Sequence, residues 1–249
     1  MNGYYNLPTS GDLDIQTHAS KIVPSLTNPT ANRIRARGIV TFQGIFFDGI
    51  SIAEQRYGGS LTTLNCRVNN NYAAVSYMGR MSLSTTWFEN CTLSAIISSD
   101  YFYMGLDNVF KNCATGIVAN RAIIELRSYA SLFMDDVTTF VDASQGTLVM
   151  DDTSQVWIGP GGVGTYIQAD EQSRVTRSYR DARIWPGKAQ PGTYLSLAAG
   201  SSAQLKSSDV ATMTGSTAYI DLAGTPITHA DYVAAGMADS DGKGNSVVG

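Results

Sequence analysis

Phe88-Glu89-Asn90-Cys91 and Phe110-Lys111-Asn112-Cys113 are two copies of one pattern, 22 residues apart (88 to 110), and their recurrence decides how the chain is read. Worn copies flank them. Leu64-Asn65-Cys66 begins 24 residues before the first (64 to 88), and Phe133-Met134-Asp135 begins 23 after the second (110 to 133). A small residue and a β-branched one follow each good copy, as Ala95-Ile96 and Gly116-Ile117, and Tyr77-Met78-Gly79 returns as Tyr103-Met104-Gly105. Repetition at this period marks units that cannot bury an apolar face alone and must stack.

Within each unit, runs of Phe, Val, Ile, Leu, Tyr and Thr alternate apolar with polar, as in Ile124-Glu125-Leu126 and Tyr194-Leu195-Ser196-Leu197. A period of two belongs to strands. Two or three such runs in about two dozen residues are what one turn of a parallel β-helix needs. The Asn before each Cys suits a tight corner, where φ is positive and Asn is tolerated better than other non-glycine residues. Stacking is expected to put Asn65, Asn90 and Asn112 in one file, with Asp135 as polar substitute, their side chains bonding across a strand spacing of roughly 4.8 Å. Cys66, Cys91 and Cys113 then point inward as small apolar fillers.

After Asp136 the pattern loosens. Strand–turn–strand outlines start at Ile124, Leu148, Tyr166 and Tyr194, and Tyr219 opens another; their offsets are 24, 18, 28 and 25 residues. Corner loops of different length account for such unevenness. A β-sandwich or jelly roll also has many short strands, but neither requires Phe-x-Asn-Cys to recur in step with Tyr-Met-Gly. The chain reads as an all-β parallel β-helix over residues 38–222, with an N-terminal cap over 1–37 and a C-terminal cap and tail over 223–249. Both ends need cover, because an open stack exposes unpaired apolar edges. The turn-rich residues 1–37 suit one end, and Thr228 to Ala235 reads as a short capping helix at the other. The Gly/Asp/Ser-rich tail has the composition of unordered chain and is expected to be held by a neighbouring subunit.

Charged residues are 15 % of 249, against roughly 25 % usually, and the net charge is −4. Nucleic acid selects basic faces and is not an expected partner. Three cysteines at equivalent positions favour buried free thiols over a disulfide framework, which suits folding in a reducing cytoplasm. No run approaches 18 apolar residues, and the N-terminus lacks the regions of a signal peptide, so no membrane partner is expected.

Several letter matches have plainer readings. Gly159-Pro160-Gly161-Gly162-Val163-Gly164 spells G-x-G-x-x-G, but a dinucleotide site needs a helix next, and Thr165-Tyr166-Ile167 reads as strand. The sequence is taken as a corner loop. Asp239 to Asn245 hints at calcium, yet Lys243 stands where a ligand belongs. With only His18 and His229 present, a histidine metal site or a catalytic triad has little support; no metal or cofactor is expected. Glycoside hydrolysis needs two carboxylates roughly 5–5.5 or 6.5–9.5 Å apart. Glu89, Asp107, Glu125, Asp135, Asp136, Asp151 and Asp152 are the candidates, but Asp favours corners as Asn does, and no catalytic residue is assigned. Tyr77, Tyr101, Tyr103 and Tyr129 are the candidate binding residues. Exposed rings beside Asn and Ser offer a sugar a flat apolar face with polar neighbours, and the same rings would serve a subunit contact.

Coils carrying Phe-x-Asn-Cys with Gly116-Ile117 behind them resemble the right-handed parallel β-helix repeats of the pectate-lyase-like superfamily. With the low charge and Gly-rich tail, the chain is most similar to the β-helix of phage tailspikes and tail fibres, over about Ile39 to Leu222. The resemblance implies a single-stranded right-handed β-helix in a homotrimer on the virion surface, folded in the host cytoplasm. It also implies contact with host surface polysaccharide and with other virion proteins through the N-terminal segment. Two alternatives stay open: a depolymerase, hydrolase or lyase, using a carboxylate pair, and a purely structural capsid-decoration or virion component. Pectate lyases hold calcium with clustered acids and use a basic residue, and no matching cluster is present. Tailspike hydrolases usually have a longer β-helix.

Overall fold

Alternating residues make strands here, and the strands stack coil upon coil. The computed structural model describes residues 20–22, 33–35, 38–54, 59–77, 79–98, 100–126, 131–151, 155–176, 183–184, 192–205, 218–222, 225–227 and 245–248. Every regular element among them is a strand. A nine-stranded sheet runs in the order Ile39–Gln43, Ser60–Leu64, Arg80–Ser84, Tyr101–Met104, Ile123–Leu126, Leu148–Asp151, Arg174–Thr176, Ser202–Leu205, Asn245–Val248. A fourteen-stranded sheet is built on the long strands Arg67–Tyr77, Trp87–Ser98, Asn108–Asn120 and Ser131–Ser144. All pairings are parallel except two at the C-terminal end. This is a parallel β-solenoid, and neither a sandwich nor a jelly roll.

The long strands bend midway, so each wraps two faces of the coil. Asn90 (φ 57°), Asn112 (50°) and Asp136 (55°) occupy the bend, with Gly49 (70°) and Gly162 (78°) at the same corner of flanking coils. Left-handed backbone costs an ordinary L-residue roughly 1–2 kcal/mol, which is why Asn, Asp and Gly collect there. Register places Asn70 at this corner too, since Asn69 opposes Glu89 and Asn71 opposes Cys91. Successive corner residues are 20 (70 to 90), 22 (90 to 112), 24 (112 to 136) and 26 (136 to 162) residues apart. Over these four steps, from position 70 to position 162, the coil lengthens by two residues each time. A constant motif therefore survives over only a pair of coils.

Inward files are apolar. Val68, Phe88, Phe110, Met134 and Ile158 form one, and Leu61, Met81, Phe102, Ile124, Val149 and Val175 another, all buried. Rings stack along the axis. Phe88 and Phe110 centroids are 5.2 Å apart, Phe110 meets Phe140 edge-on at 5.3 Å, and Phe140, Tyr166 and Tyr194 continue the stack at 5.3 and 5.5 Å. Such pairs add about 0.5–1.5 kcal/mol beyond area burial.

Several expectations are corrected by the register. The uneven offsets after Asp136 came from stepping between sheets: Leu148 opposes Ile123 and Arg174, whereas Tyr166 lies on the other sheet, in the turn whose counterpart carries Tyr194. The Tyr-Met-Gly repeat is likewise coincidental. Tyr103 opposes Ser82 on the nine-stranded sheet, while Tyr77 ends a strand of the other and opposes Ser98.

The ends bring a further correction. The tail strand Asn245–Val248 pairs antiparallel with Ser202–Leu205 of its own chain. Thr225–Ile227 folds back antiparallel on Ala218–Leu222 and finishes the other sheet. Both sheets thus end on a short strand, one of them carrying Pro226, and short or proline-bearing edge strands blunt an open edge. At the N-terminal end, Ser20–Ile22 and Arg33–Arg35 lie parallel on Ile45–Asp48 and Ser51–Glu54, so the stack reaches into residues 1–37. Thr228 to Ala235 and both histidines lie outside the described residues.

Candidate functional site on the nine-stranded sheet

The corner amides of Asn112 and Asn90 open a bonded ladder that continues through Asn69 and Asp48, each one position before the corner. Asn112 Nδ2 donates to Asn90 Oδ1 at 2.6 Å, Asn90 Nδ2 to Asn69 Oδ1 at 2.8 Å, and Asn69 Nδ2 to Asp48 Oδ1 at 3.2 Å. Asn65 is not a member. It sits at a different left-handed corner (φ 52°) with Thr85 and Asp107. Cys66 goes with it: the file holding Cys91, Cys113 and Val137 is separate, and Cys66 shares a turn position with Thr86 and Asn108. The Asn-Cys dipeptide points away from the true member, which the run Asn69-Asn70-Asn71 marks instead. Asp135 is off by one. Asp136 takes the corner, and Asp135 accepts a hydrogen bond from the Gly161 amide at 2.7 Å. That contact explains the glycine-rich loop, because a Cβ on Gly159 would lie 2.6 Å from Asp135 Oδ1. The loop leads into the strand Val163–Ala169, with no helix to receive a phosphate.

All three cysteines are buried and free. The hydrogen bond it shares with Cys113, then burial, push the Cys91 thiol well above its ordinary range, and burial raises Cys66. All three pack the interior, with Cys66 and Cys91 held protonated and unreactive.

The candidate acids are engaged in the scaffold. Glu89 pairs with Arg67, whose guanidinium lies over the Phe46 and Trp87 rings at 5.3 and 5.0 Å. Glu125 accepts the Tyr101 hydroxyl proton at 2.7 Å. Asp151 is buried and accepts from Tyr194 OH at 3.4 Å. Asp107 and Asp136 are left-handed corner residues, and Asp152 lies outside the described residues.

Nothing in the sequence singles out Asp142. Burial, and after it the charge of Asp170, raise its carboxyl pKa. The folded state then binds a proton more tightly than the unfolded chain. Stability falls as pH rises from the ordinary carboxylate range through the raised value, and it stays at the lower level above. Asp142→Asn removes this loss. The variant is expected to have a higher urea midpoint than the parent at pH 7, with the gap closing at pH 3; an equal gap at both would show that charge is not the cause.

The binding candidates divide. Tyr101 and Tyr103 stand on the outer face of the nine-stranded sheet, half-buried, two positions apart on one strand. Tyr77 belongs to the other sheet and Tyr129 lies outside the described residues, so the four do not form one site. Tyr101 falls in the outward file Ser60, Arg80, Tyr101, Ile123, Leu148, and Tyr103 in the file Thr62, Ser82, Tyr103, Glu125, Met150. Together Ser60, Arg80, Ser82, Tyr101 and Tyr103 line an open groove of about 390 Å³ over Met81. Aromatic faces beside hydroxyls and one guanidinium can hold a flat polar ligand.

The fold and groove define a parallel β-solenoid with a candidate ligand face on one sheet. No family model, no curated protein and no solved structure matches the chain. Among the described residues there is no cluster of three or more His, Cys, Asp or Glu suited to a metal ion. No helix among them is long and apolar enough to cross a membrane.

Proposed function

We propose that this protein is a virion surface protein of the tailspike or tail-fibre type, a homotrimer that attaches to host cell-surface polysaccharide through the outer face of its nine-stranded sheet. The observation that carries the reading is the groove in which Tyr101 and Tyr103 rise between Ser60, Ser82 and Arg80. Tyr rings present an apolar face for sugar C–H groups and a hydroxyl edge for sugar hydroxyls, on a floor of paired parallel strands. The solenoid supports the class, since long stacked faces suit extended polymers. Attachment is favoured over depolymerisation because the acids Glu89, Glu125, Asp135 and Asp151 are already engaged within the coils.

The test is a glycan array combined with host-cell binding. The parent is expected to retain glycan, Tyr103→Ala to weaken it at least about tenfold, and the urea midpoint to move little, since Tyr103 is half-buried. Light scattering should give three chains per particle, and incubation with host capsule should release no reducing ends. Full retention by the Tyr103 and Tyr101 variants would remove the groove from the reading. A monomer would count against the trimer.

A further inference from the structure

Among the side chains lining the groove, Arg80 alone carries charge. It is exposed, and it makes no ion pair or side-chain hydrogen bond among the described residues. Glu125, in the outward file of Tyr103, is opposite Tyr103 rather than Arg80 and accepts a hydrogen bond from the Tyr101 hydroxyl. Arg80 faces Tyr101 in register on the next strand and has Ser60 on its other side. The Arg80 and Tyr101 backbones are therefore one strand spacing, roughly 4.8 Å, apart, and both side chains line the same groove with Ser60 and Ser82.

We infer that the groove selects anionic glycans, the Arg80 guanidinium taking a carboxylate or other anionic substituent while Tyr101 and Tyr103 hold the sugar ring. This rests on the glycan-binding reading above and narrows it. Arg presents parallel N–H donors that match a carboxylate, sulfate or phosphate two at a time, which a neutral sugar cannot answer. The chain as a whole is acidic, at −4, so an anionic polymer gains nothing from the protein's general field. Discrimination falls to the groove's own cation.

The experiment measures binding of the full chain, Arg80→Ala and Arg80→Lys to an array of neutral, uronic-acid-bearing and sulfated oligosaccharides of matched length, at low and high salt. The parent is expected to prefer an anionic class at least about tenfold at low salt, a single charge-assisted pair being worth that much, and to lose part of the preference at high salt. Arg80→Ala should erase the preference, its affinity for the anionic class falling at least about tenfold further than its affinity for the neutral class, with the thermal midpoint kept. Arg80→Lys should keep the charge but lose two-point geometry, and so fall between. Whether uronates or sulfated sugars lead identifies the anion. Equal affinity for neutral and anionic sugars, or a preference surviving Arg80→Ala, overturns the inference and leaves the glycan reading standing. Absence of binding to every class overturns both.

Discussion

Replacing Phe110 with Ala is expected to cost about 3–5 kcal/mol, a large share of the stability of an ordinary domain. The ring is fully buried, stacked on Phe88 on one side and met edge-on by Phe140 on the other. Its removal takes away the transfer term and both ring contacts, and it opens a cavity that two neighbouring coils cannot close independently, because their strands are locked in register with this one. A urea titration reads the effect. Phe133→Ala supplies the comparison, since that ring is half-buried on the outer face of the same coil stack and should cost clearly less. A midpoint for Phe110→Ala near that of Phe133→Ala would mean that the axial ring stack is not what holds the coils.

The second large effect is expected at Gly116. A Cβ there would lie 2.7 Å from the Phe140 carbonyl oxygen and 2.8 Å from its ring. Phe140 stands opposite in the next coil, and Tyr166 and Tyr194 follow it in the two coils after, so the glycine is where one side chain of the file is omitted and Phe140 folds into the space towards Phe110. Backbone cannot yield here without breaking the pairing of Asn108–Asn120 with Ser131–Ser144. Gly116→Val should therefore lose about 3 kcal/mol, the upper part of the overpacking range. Ala114→Ser, exposed two residues away, should stay within about 0.5 kcal/mol. A soluble Gly116→Val protein with an unchanged midpoint would contradict the packing described.

Stacking itself was legible. Phe-x-Asn-Cys in its two good copies does put Cys91 opposite Cys113, and the amides of Asn90 and Asn112 do bond from coil to coil. The candidate site was half legible. Tyr101 and Tyr103 could be named from composition, but pairing them with Arg80 required knowing which strand lies beside theirs. Asn65, Cys66 and Tyr77 were assigned by resemblance of dipeptides, and each belongs to another corner or sheet. Coil length varies from 20 to 28 residues along the stack, so equal spacing in sequence stops meaning equal position in space. The acids looked like a catalytic supply for the same reason. Only the packed coils revealed that Glu89, Glu125 and Asp135 are committed to an Arg, a Tyr and a backbone amide.

From the chain alone came the class of fold: strand alternation and the taste of Asn for left-handed backbone are local properties, written in adjacent residues. Tertiary structure decided which files face out. Side chains in strands alternate by one, and a one-residue slip exchanges core for surface. Tyr101 and Tyr103 look outward, while Tyr166 and Tyr194 are buried in the axial stack, though all four are tyrosines on strands. Pairing register, set by contacts more than twenty residues apart, is what tells a ligand face from a core.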